Sequence, residues 1–434
     1  MTSLNEPHAS GERVLLLHVD FTHASEHEDL LEFQALAQAS GAHIVELMTI
    51  KREKIDARYL IGQGKVEEIT AFIEAHPLDV VIINYAVSPT QERNLERKFK
   101  CRVIDRTGLI LDIFAQRAQS FEGKLQVELA QLNHLATRLV RTWTHLERQK
   151  GGIGLRGPGE AQLETDRRLI RQRIKALQAR LEKVKAQRDA SRKARNKSAM
   201  PTIALVGYTN AGKSTLFNRL ALDTVYVANQ LFATLDPTLR RIPCKGVGDV
   251  ILVDTVGFVQ HLPHQLIKAF SATLEETRDA DLLLHVIDAN DPQRIEKIAQ
   301  VNEVLEQIKA QAVPQIEVFN KIDELTTPPD FTSSENSPPL VPRVAISAQT
   351  GVGMDALEQA IAHALSAELI KCQLLLPPDK GNIRAQLYQQ GAIVQEVMNE
   401  DGSVTLTVQL RRELLRQILA KAGVEMEAVL APTL

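Results

Sequence analysis

The sequence predicts an α/β chain that carries a helical hairpin in its middle, and three patterns support this prediction. Short apolar runs alternate with helical patterns over residues 13–118 and again over residues 201–366, which favours mostly parallel sheets covered by helices. Between them, residues 121–197 repeat leucine at heptad spacing. A chain of 434 residues has room for about two to four domains.

The N-terminal region, residues 1–120, is predicted to be an α/β domain. Its strand candidates are apolar runs bounded by polar residues: 13–20, 43–50, 79–85 and 101–107. A helix over residues 25–40 is expected to end at Gly41, which suits a C-cap. Another helix is expected to start after Ser88, with Pro89 in its first position and Gln91 closing a capping box.

Residues 121–197 are predicted to form an antiparallel helical hairpin. Apolar residues recur every seven positions on both sides of a break: Leu125, Leu132, Leu139 and Leu146, then Leu163, Ile170, Leu177 and Val184. The break at residues 151–159 holds five glycines and a proline, which cannot continue a helix. We therefore expect a glycine-rich tip loop over residues 149–160.

The hairpin is basic, whereas the rest of the chain is acidic. Residues 141–197 contain 17 Lys and Arg against 6 Asp and Glu, which leaves 34 against 48 elsewhere in a chain of net charge -3. A basic arm suits contact with nucleic acid, because lysine and arginine neutralise phosphates. A solvated helical face would carry the same charges, so both interpretations stand.

Composition restricts the class of protein. The first thirteen residues lack the apolar core of a signal peptide, and no apolar run approaches the roughly 18 residues of a membrane helix. The three cysteines, Cys101, Cys244 and Cys372, match no metal-binding spacing. We expect a cytoplasmic protein, monomeric, with reduced thiols and no membrane span.

Residues 200–367 are predicted to form a second α/β domain that opens with a phosphate-binding loop. Its strand candidates are 203–207, 250–255, 282–288, 316–320 and 344–347. The loop fits G-x-x-x-x-G-K-[ST] between a strand and a helix, and it supplies these candidate nucleotide-binding residues: Gly207, Tyr208, Thr209, Asn210, Ala211, Gly212, Lys213, Ser214 and Thr215. Backbone N–H groups of such a loop surround phosphates, Lys213 reaches the β- and γ-phosphates, and Ser214 offers a hydroxyl to Mg²⁺.

Two later motifs fit the same site. Asp254 ends an apolar strand, where it can hold the Mg²⁺ shell through water, and Gly257 leaves a backbone N–H free for a γ-phosphate. Asp323 in Asn-Lys-Ile-Asp can accept two hydrogen bonds from guanine, whereas adenine lacks that donor pair. The remaining candidate nucleotide-binding residues surround the base: Asn320, Lys321, Ser347 and Ala348.

The four elements are the phosphate-binding loop, the Asp254 segment, Asn-Lys-Ile-Asp and the Ser347-Ala348 pair that follows the next strand. In order and spacing they resemble the motifs of the TRAFAC class of GTPases. The predicted fold class is therefore α/β, with a P-loop GTPase domain built on a mostly parallel sheet. The resemblance favours Thr234 over Thr238 as a Mg²⁺ ligand in the GTP state, and it makes Lys213, Thr234 and Gly257 the candidate catalytic residues.

Residues 375–434 are predicted to form a small C-terminal α+β domain, with strand 403–410, a turn at Gly402 and helix 413–420.

Two residues bear on the rate of hydrolysis. Phe258 stands where Ras-like proteins place a glutamine that orients the attacking water, so slow intrinsic hydrolysis is expected, stimulated by a partner or a cation. Asn210 resembles the P-loop asparagine of potassium-dependent GTPases, which implies K⁺ as a second cation. A plain phosphate contact is the alternative role for Asn210.

The surroundings of the motifs resemble the HflX family over residues 13–366. The resemblance is carried by segments 61–69, 88–96, 103–107, 125–132, 151–168, 232–237 and 254–258. Asn84 and Tyr85 depart from it, since the family has acidic residues there, and the last sixty or so residues match less clearly. It implies binding of GTP and GDP, association with the large (50S) ribosomal subunit and its rRNA, and splitting of stalled or idle ribosomes under stress. It also implies a cytoplasmic location, partly at ribosomes or a membrane surface.

Within this resemblance the hairpin tip would reach into rRNA. The candidate rRNA contacts are the arginines in and beside the loop: Arg156, Arg167, Arg168, Arg171 and Arg173. The resemblance further implies ATP binding by the N-terminal domain. Two other functions stay open: a GTP-regulated switch that acts on a protein effector, and a nucleotide-dependent enzyme that remodels RNA.

Overall fold

A computed structural model provides the fold. It describes residues 11–20, 26–142, 158–197, 200–221, 232, 234–244, 247–259, 271–325, 341–366, 369–389, 391–399, 402–411, 415, 418–419, 422 and 424. The predicted α/β class is confirmed, with a mostly parallel sheet in the GTPase region and an antiparallel sheet near the C-terminus. No described helix combines the length and apolar character needed to cross a membrane.

The N-terminal sheet is parallel, in the order β2-β1-β3-β4. Its elements are β1 (Arg13–Asp20), α1 (Glu26–Ala39), β2 (His43–Lys51), α2 (Gln63–Ala75), β3 (Val80–Ile83), α3 (Pro89–Phe99), β4 (Arg102–Asp105) and α4 (Arg106–Arg117). The predicted capping box is confirmed, because the Ser88 side chain accepts from the Gln91 backbone and the Gln91 side chain accepts from the Ser88 backbone. Gly41 has a φ of 81°, which suits the end of α1.

One N-terminal helix was not anticipated from the sequence. The apolar run 101–107 read as one strand, but the strand stops at Asp105 and α4 begins at Arg106. The Asp105 side chain accepts a hydrogen bond from the Gly108 N–H at 2.8 Å and so caps the helix. An aspartate inside an apparently continuous strand was the signal for this boundary.

The hairpin consists of α5 (Phe121–Thr142) and α6 (Pro158–Lys197). Arg188 of α6 pairs with Glu122 at 2.9 Å, and Arg173 pairs with Glu128 at 2.7 Å. Residue numbers thus fall along α6 as they rise along α5, so the helices run antiparallel, as predicted. Residues 143–157, which include most of the predicted tip loop and Leu146, lie outside the described residues, and α6 starts inside that predicted loop.

The GTPase sheet has the order β10-β9-β8-β5-β7-β6. Its elements are β5 (Thr202–Val206), α7 (Lys213–Leu220), β6 (Thr238–Cys244), β7 (Gly248–Asp254), α8 (Ser271–Arg278), β8 (Leu282–Asp288), α9 (Arg294–Gln307), β9 (Gln315–Asn320), β10 (Arg343–Ala345) and α10 (Met354–Ser366). Only β6, among these strands, is antiparallel to its neighbour. Since parallel strands end at one edge of a sheet, the loops after β5, β7 and β9 meet there.

Strand β6 was missed by the sequence analysis. It carries Arg240, Arg241 and Pro243 among its seven residues, so it lacks the continuous apolar run of a central strand. Its place at the edge of the sheet explains this composition, since edge strands tolerate charge and proline.

The C-terminal region contains β11 (Leu369–Leu376), α11 (Gly381–Gln389), β12 (Ile393–Met398) and β13 (Val404–Arg411), in an antiparallel sheet of order β11-β13-β12. Gly402, in the predicted turn, has a φ of 80°. Most of β11 precedes the predicted domain start at residue 375. Of the predicted helix 413–420, Leu415, Ile418 and Leu419 are described; they are helical and buried.

Candidate nucleotide site

The loop between β5 and α7 has a backbone that requires glycine at two positions. Gly207 has a φ of 144°, and a Cβ there would lie 2.2 Å from the Val286 carbonyl oxygen. Gly212 has a φ of 91°, and a Cβ there would lie 2.2 Å from the Asn320 side-chain nitrogen. Any other residue would strain the backbone and displace a neighbour. The two glycines therefore bring β8 and β9 against the loop.

A cleft of about 440 Å³ opens beside this loop. It is lined by most of the predicted nucleotide-binding residues: Thr209, Asn210, Gly212, Lys213, Ser214, Thr215, Thr234, Gly257, Asn320, Lys321, Asp323 and Ala348. The other predicted residues are buried and lie within two sequence positions of a lining residue: Gly207, Tyr208, Ala211, Asp254 and Ser347. The structure thus brings together residues that are up to 141 positions apart in the sequence.

Lys213 lies at the floor of the cleft. Its Nζ donates hydrogen bonds to the carbonyl oxygens of Gly207 at 3.1 Å and Tyr208 at 2.7 Å. Burial lowers the pKa of Lys213 to about 8, and the neighbouring Asp254 opposes this shift. A Cβ on Gly257 would approach this Nζ to 2.9 Å, so the lysine and the Gly257 backbone share one small space.

Three oxygen-bearing side chains converge next to the lysine. Ser214 Oγ and Thr234 Oγ1 each lie 2.7 Å from Asp254 Oδ2, and they lie 2.9 Å from each other. The second carboxylate oxygen, Asp254 Oδ1, is buried without a hydrogen-bond partner among the described residues. Burial raises the pKa of Asp254. Mg²⁺ prefers hydroxyl, carboxylate and water oxygens, so these three residues fit that ion.

The structure separates the two candidate threonines. Thr234 Oγ1 is in the oxygen cluster, whereas Thr238 is the first residue of β6 and pairs through its backbone with Asp254. This geometry favours Thr234 over Thr238, as the resemblance did.

Three loops meet at the end of the cleft away from the Ser214–Thr234–Asp254 cluster: the P-loop, the loop after β9 and the loop after β10. Asn320 donates from Nδ2 to the Ala211 carbonyl oxygen at 2.9 Å and accepts at Oδ1 from the Ala348 N–H at 2.8 Å. Asp323 is exposed in a 3-10 turn, Ile322–Glu324, at this end. The ammonium of Lys321 lies 2.6 Å from Asp288 Oδ2, and Asp288, the last residue of β8, was missed by the sequence analysis. An acidic residue at the end of the strand next to Asn-Lys-Ile-Asp was its signal.

Phe258 is buried, and its backbone holds the neighbouring glycine against the P-loop. The Thr209 N–H donates to the Phe258 carbonyl at 2.8 Å, and the Phe258 N–H donates to the Gly207 carbonyl at 3.1 Å. Its ring belongs to an apolar cluster that also contains Tyr208. The phenyl ring is buried and carries no hydrogen-bonding atom, so it cannot orient a water.

The predicted rRNA contacts differ in their surroundings. Arg168 and Arg171 are exposed on α6, Arg167 is half-buried, and Arg173 pairs with Glu128 of α5. Arg156 lies outside the described residues.

The P-loop also contacts the N-terminal domain, which nothing in the sequence indicated. The Tyr208 hydroxyl donates to Glu32 Oε2 at 2.6 Å, and the other oxygen of Glu32 pairs with Arg106. Arg106 donates in turn to Asn84 Oδ1 at 2.7 Å. Asn84, one of the two departures from the HflX pattern, thus completes a chain of polar contacts that ends at the P-loop.

The fold and this cleft define a P-loop GTPase. Four family models match consecutive parts of the chain: GTP-binding GTPase N-terminal (residues 27–115), GTP-binding GTPase Middle Region (117–195), 50S ribosome-binding GTPase (202–321) and HflX C-terminal domain (339–427). The chain is 56% identical to GTPase HflX of Escherichia coli (strain K12) over 403 residues, which cover 92% of this chain and 94% of that one. It therefore belongs to the HflX family of GTPases, and it hydrolyses GTP.

Other relatives span the chain as well. GTPase HflX of Magnetococcus marinus is 42% identical over 431 residues, 97% of this chain and 98% of that one. The crystal structure of a GTP-binding protein from the hyperthermophilic archaeon Sulfolobus solfataricus in complex with GDP is 25% identical in sequence. The match covers 82% of this chain and 99% of that one, with a TM-score of 0.45.

Proposed function

We propose that this GTPase associates with the large ribosomal subunit and splits stalled or idle ribosomes. The observation that carries the proposal is the basic hairpin α5–α6, which exposes Arg168 and Arg171 and is joined at its base to the GTPase domain. The match of residues 202–321 to the model of 50S ribosome-binding GTPases supports it. Exposed arginines on a long helix suit the phosphates of rRNA.

In the proposed reaction the protein mainly positions and neutralises the triphosphate. Backbone N–H groups of residues 207–214 surround the phosphates, Lys213 neutralises the β- and γ-phosphates, and the Gly257 N–H meets the γ-phosphate. Ser214 and Thr234 would hold Mg²⁺ directly and Asp254 through water; the bound ion would neutralise charge on the phosphates. With Phe258 in place of a water-orienting glutamine, we expect slow hydrolysis that the ribosome stimulates.

Guanine selectivity is assigned to the far end of the cleft. The exposed Asp323 carboxylate would accept from guanine N1 and its exocyclic amine, and the Lys321 side chain, oriented by Asp288, would cover the base. Asn320 would hold the base loops at a fixed distance from the P-loop, because it bonds to both.

Potassium is proposed as a second cation at Asn210. This residue has a φ of 62° and lies exposed on the rim of the cleft. Replacing K⁺ by Na⁺ at constant ionic strength is expected to lower the single-turnover rate by about tenfold, because a site sized for K⁺ holds the smaller, more strongly hydrated Na⁺ less well and so leaves the phosphate charge less neutralised. Asn210→Ala is expected to remove the difference between the two salts; a variant that still prefers K⁺ would contradict the assignment to Asn210.

The ribosomal proposal is tested by co-sedimentation with separated subunits in the presence of a GTP analogue, GDP or no nucleotide. We expect binding to the large subunit that is strongest with the GTP analogue and falls steeply with salt. Arg168→Glu with Arg171→Glu should weaken binding and reduce the salt slope by about two. Arg97→Glu with Lys98→Glu on α3 is the matched control, since both residues are exposed and basic.

Each alternative function would give a different result. Salt-insensitive binding of a protein, without large-subunit binding, would favour a switch with a protein effector. RNA remodelling that is driven by ATP and survives Asp323→Asn would favour the remodelling enzyme. Binding to the large subunit that ignores the nucleotide would contradict the proposal.

A further inference from the structure

The loop that carries Thr234 faces two parts of the molecule. We use the name Thr234 loop for residue 232 and residues 234–236. Thr234 points to Ser214 and Asp254, whereas Phe232 and Leu235 are buried in a core cluster of the N-terminal domain. The Phe232 ring meets the Phe114 ring of α4 edge-on, with the centroids 4.6 Å apart. One short loop thus connects the phosphate end of the cleft to another domain.

Asp236, two residues after Thr234, binds the start of the hairpin. Its Oδ2 accepts from the backbone N–H groups of Gln119 at 2.8 Å and Ser120 at 2.7 Å, and its Oδ1 accepts from the Ser120 hydroxyl. The Ser120 Oγ accepts in turn from the Gly123 N–H at 2.8 Å, so it caps α5. The carboxylate is therefore part of the N-terminal cap of a hairpin helix, although it belongs to the GTPase domain.

The contact is tightly packed. A Cβ on Gly123 would lie 2.2 Å from Asp236 Oδ1 and 3.0 Å from Ser120 Oγ. The carboxylate can hold this position only because residue 123 lacks a side chain.

The second hairpin helix makes a separate connection to the GTPase domain. Glu275 of α8 pairs with Lys185 of α6 at 2.6 Å and with Arg188, which also pairs with Glu122 of α5 at 2.9 Å. The α8 segment follows the loop that carries Gly257 in the sequence. Both hairpin helices are thus attached to the GTPase domain, α5 through Asp236 of the Thr234 loop and α6 through Glu275 of α8.

We propose that Asp236 and Ser120 are positioning residues for Thr234. The position of the N-terminus of α5 and the binding of the γ-phosphate with its metal are then coupled. The proposal rests on the metal-binding role proposed above for Thr234. It deepens the proposed function, because it names the path by which a change at the hairpin would reach the nucleotide.

The direction of the effect follows from the structure. Thr234 Oγ1 lies in the oxygen cluster while Asp236 caps α5, so the cap favours the loop position that can ligate a metal. Loss of the cap lowers the population of that position and reduces affinity for a triphosphate by the same factor. GDP lacks the γ-phosphate and depends less on this loop. Couplings of this kind usually change affinity by about 5- to 150-fold.

The test measures dissociation constants of fluorescent GMPPNP and GDP, with Mg²⁺, for Asp236→Asn and Ser120→Ala in the full-length chain. We expect each variant to weaken GMPPNP binding at least about fivefold and to leave GDP binding within twofold. Ser88→Ala is the matched control, because Ser88 caps α3 in the same way without contacting the Thr234 loop. It should leave the ratio of the two constants unchanged.

Gly123→Ala perturbs the same contact from the side of α5. Its methyl group would displace Asp236, so the GMPPNP-to-GDP ratio should shift in the same direction as in Asp236→Asn. An unchanged ratio in all three variants, an equal loss for both nucleotides, or a shifted ratio in Ser88→Ala would overturn the proposal. These measurements use the protein without ribosomes, so a failure of ribosome binding would not affect them.

Discussion

Asp323→Asn is expected to weaken GTP binding by about 10³-fold and to improve binding of xanthosine triphosphate. The carboxylate accepts two hydrogen bonds from guanine in the proposed site, and a site built for such bonds discriminates strongly against a partner that cannot complete them. Xanthine carries a carbonyl where guanine carries its amine, so an asparagine amide can donate to it. The exposed position of Asp323 means that the substitution disturbs no buried contact among the described residues.

The measurement is a direct titration of wild type and Asp323→Asn with both nucleotides, together with hydrolysis of each at saturation. The reversal of preference serves as its own control, because a misfolded variant would lose both nucleotides. If Asp323→Asn bound GTP as the wild type does, the guanine pocket would have to lie elsewhere.

Thr234→Ala is expected to lower the single-turnover hydrolysis rate by about 10²- to 10³-fold. The hydroxyl is one of three oxygens at the proposed metal site, and a group of this kind contributes about 3–4 kcal/mol when it stabilises charge developing in the transition state. GDP affinity should change by less than about threefold, since the γ-phosphate is absent.

Thr238→Ala is the matched control, because it is the same substitution, threonine to alanine, four residues later in the chain. Single-turnover rates and GDP dissociation constants for both variants show whether the Thr234 hydroxyl acts as a metal ligand or is only a polar group of the loop. Equal loss of hydrolysis in the two variants, or none in Thr234→Ala, would contradict the assignment of Thr234.

Much of the fold was predictable because its signals are local. Ser88, Pro89 and Gln91 lie within four consecutive positions and specify the start of α3 by themselves. The elements that the sequence did not predict are those whose structure depends on neighbours in space. β6 is polar because it lies at a sheet edge, and most of β11 was left outside the predicted C-terminal domain although it pairs with β13.

The candidate site also has a part that the sequence predicts and a part that it does not. The phosphate and base loops are short motifs whose residues could be named in advance, and the structure places them around one cleft. Contacts between domains have no such motif. Tyr208 and Glu32 are 176 positions apart, and Asp236 and Ser120 are 116 apart, so only the folded chain shows that they meet.

The central claim is that residues 207–214 and Asp323 form one guanine-nucleotide site. Calorimetric titration of the nucleotide-free protein with GMPPNP, GDP and an ATP analogue tests it most directly, with Lys213→Ala as the variant that disables the phosphate loop. We predict one equivalent of guanine nucleotide, affinity for the ATP analogue at this site at least about 10²-fold weaker, and loss of guanine binding in Lys213→Ala. Equal affinities for adenine and guanine nucleotides that compete for the Lys213-dependent site would contradict the claim.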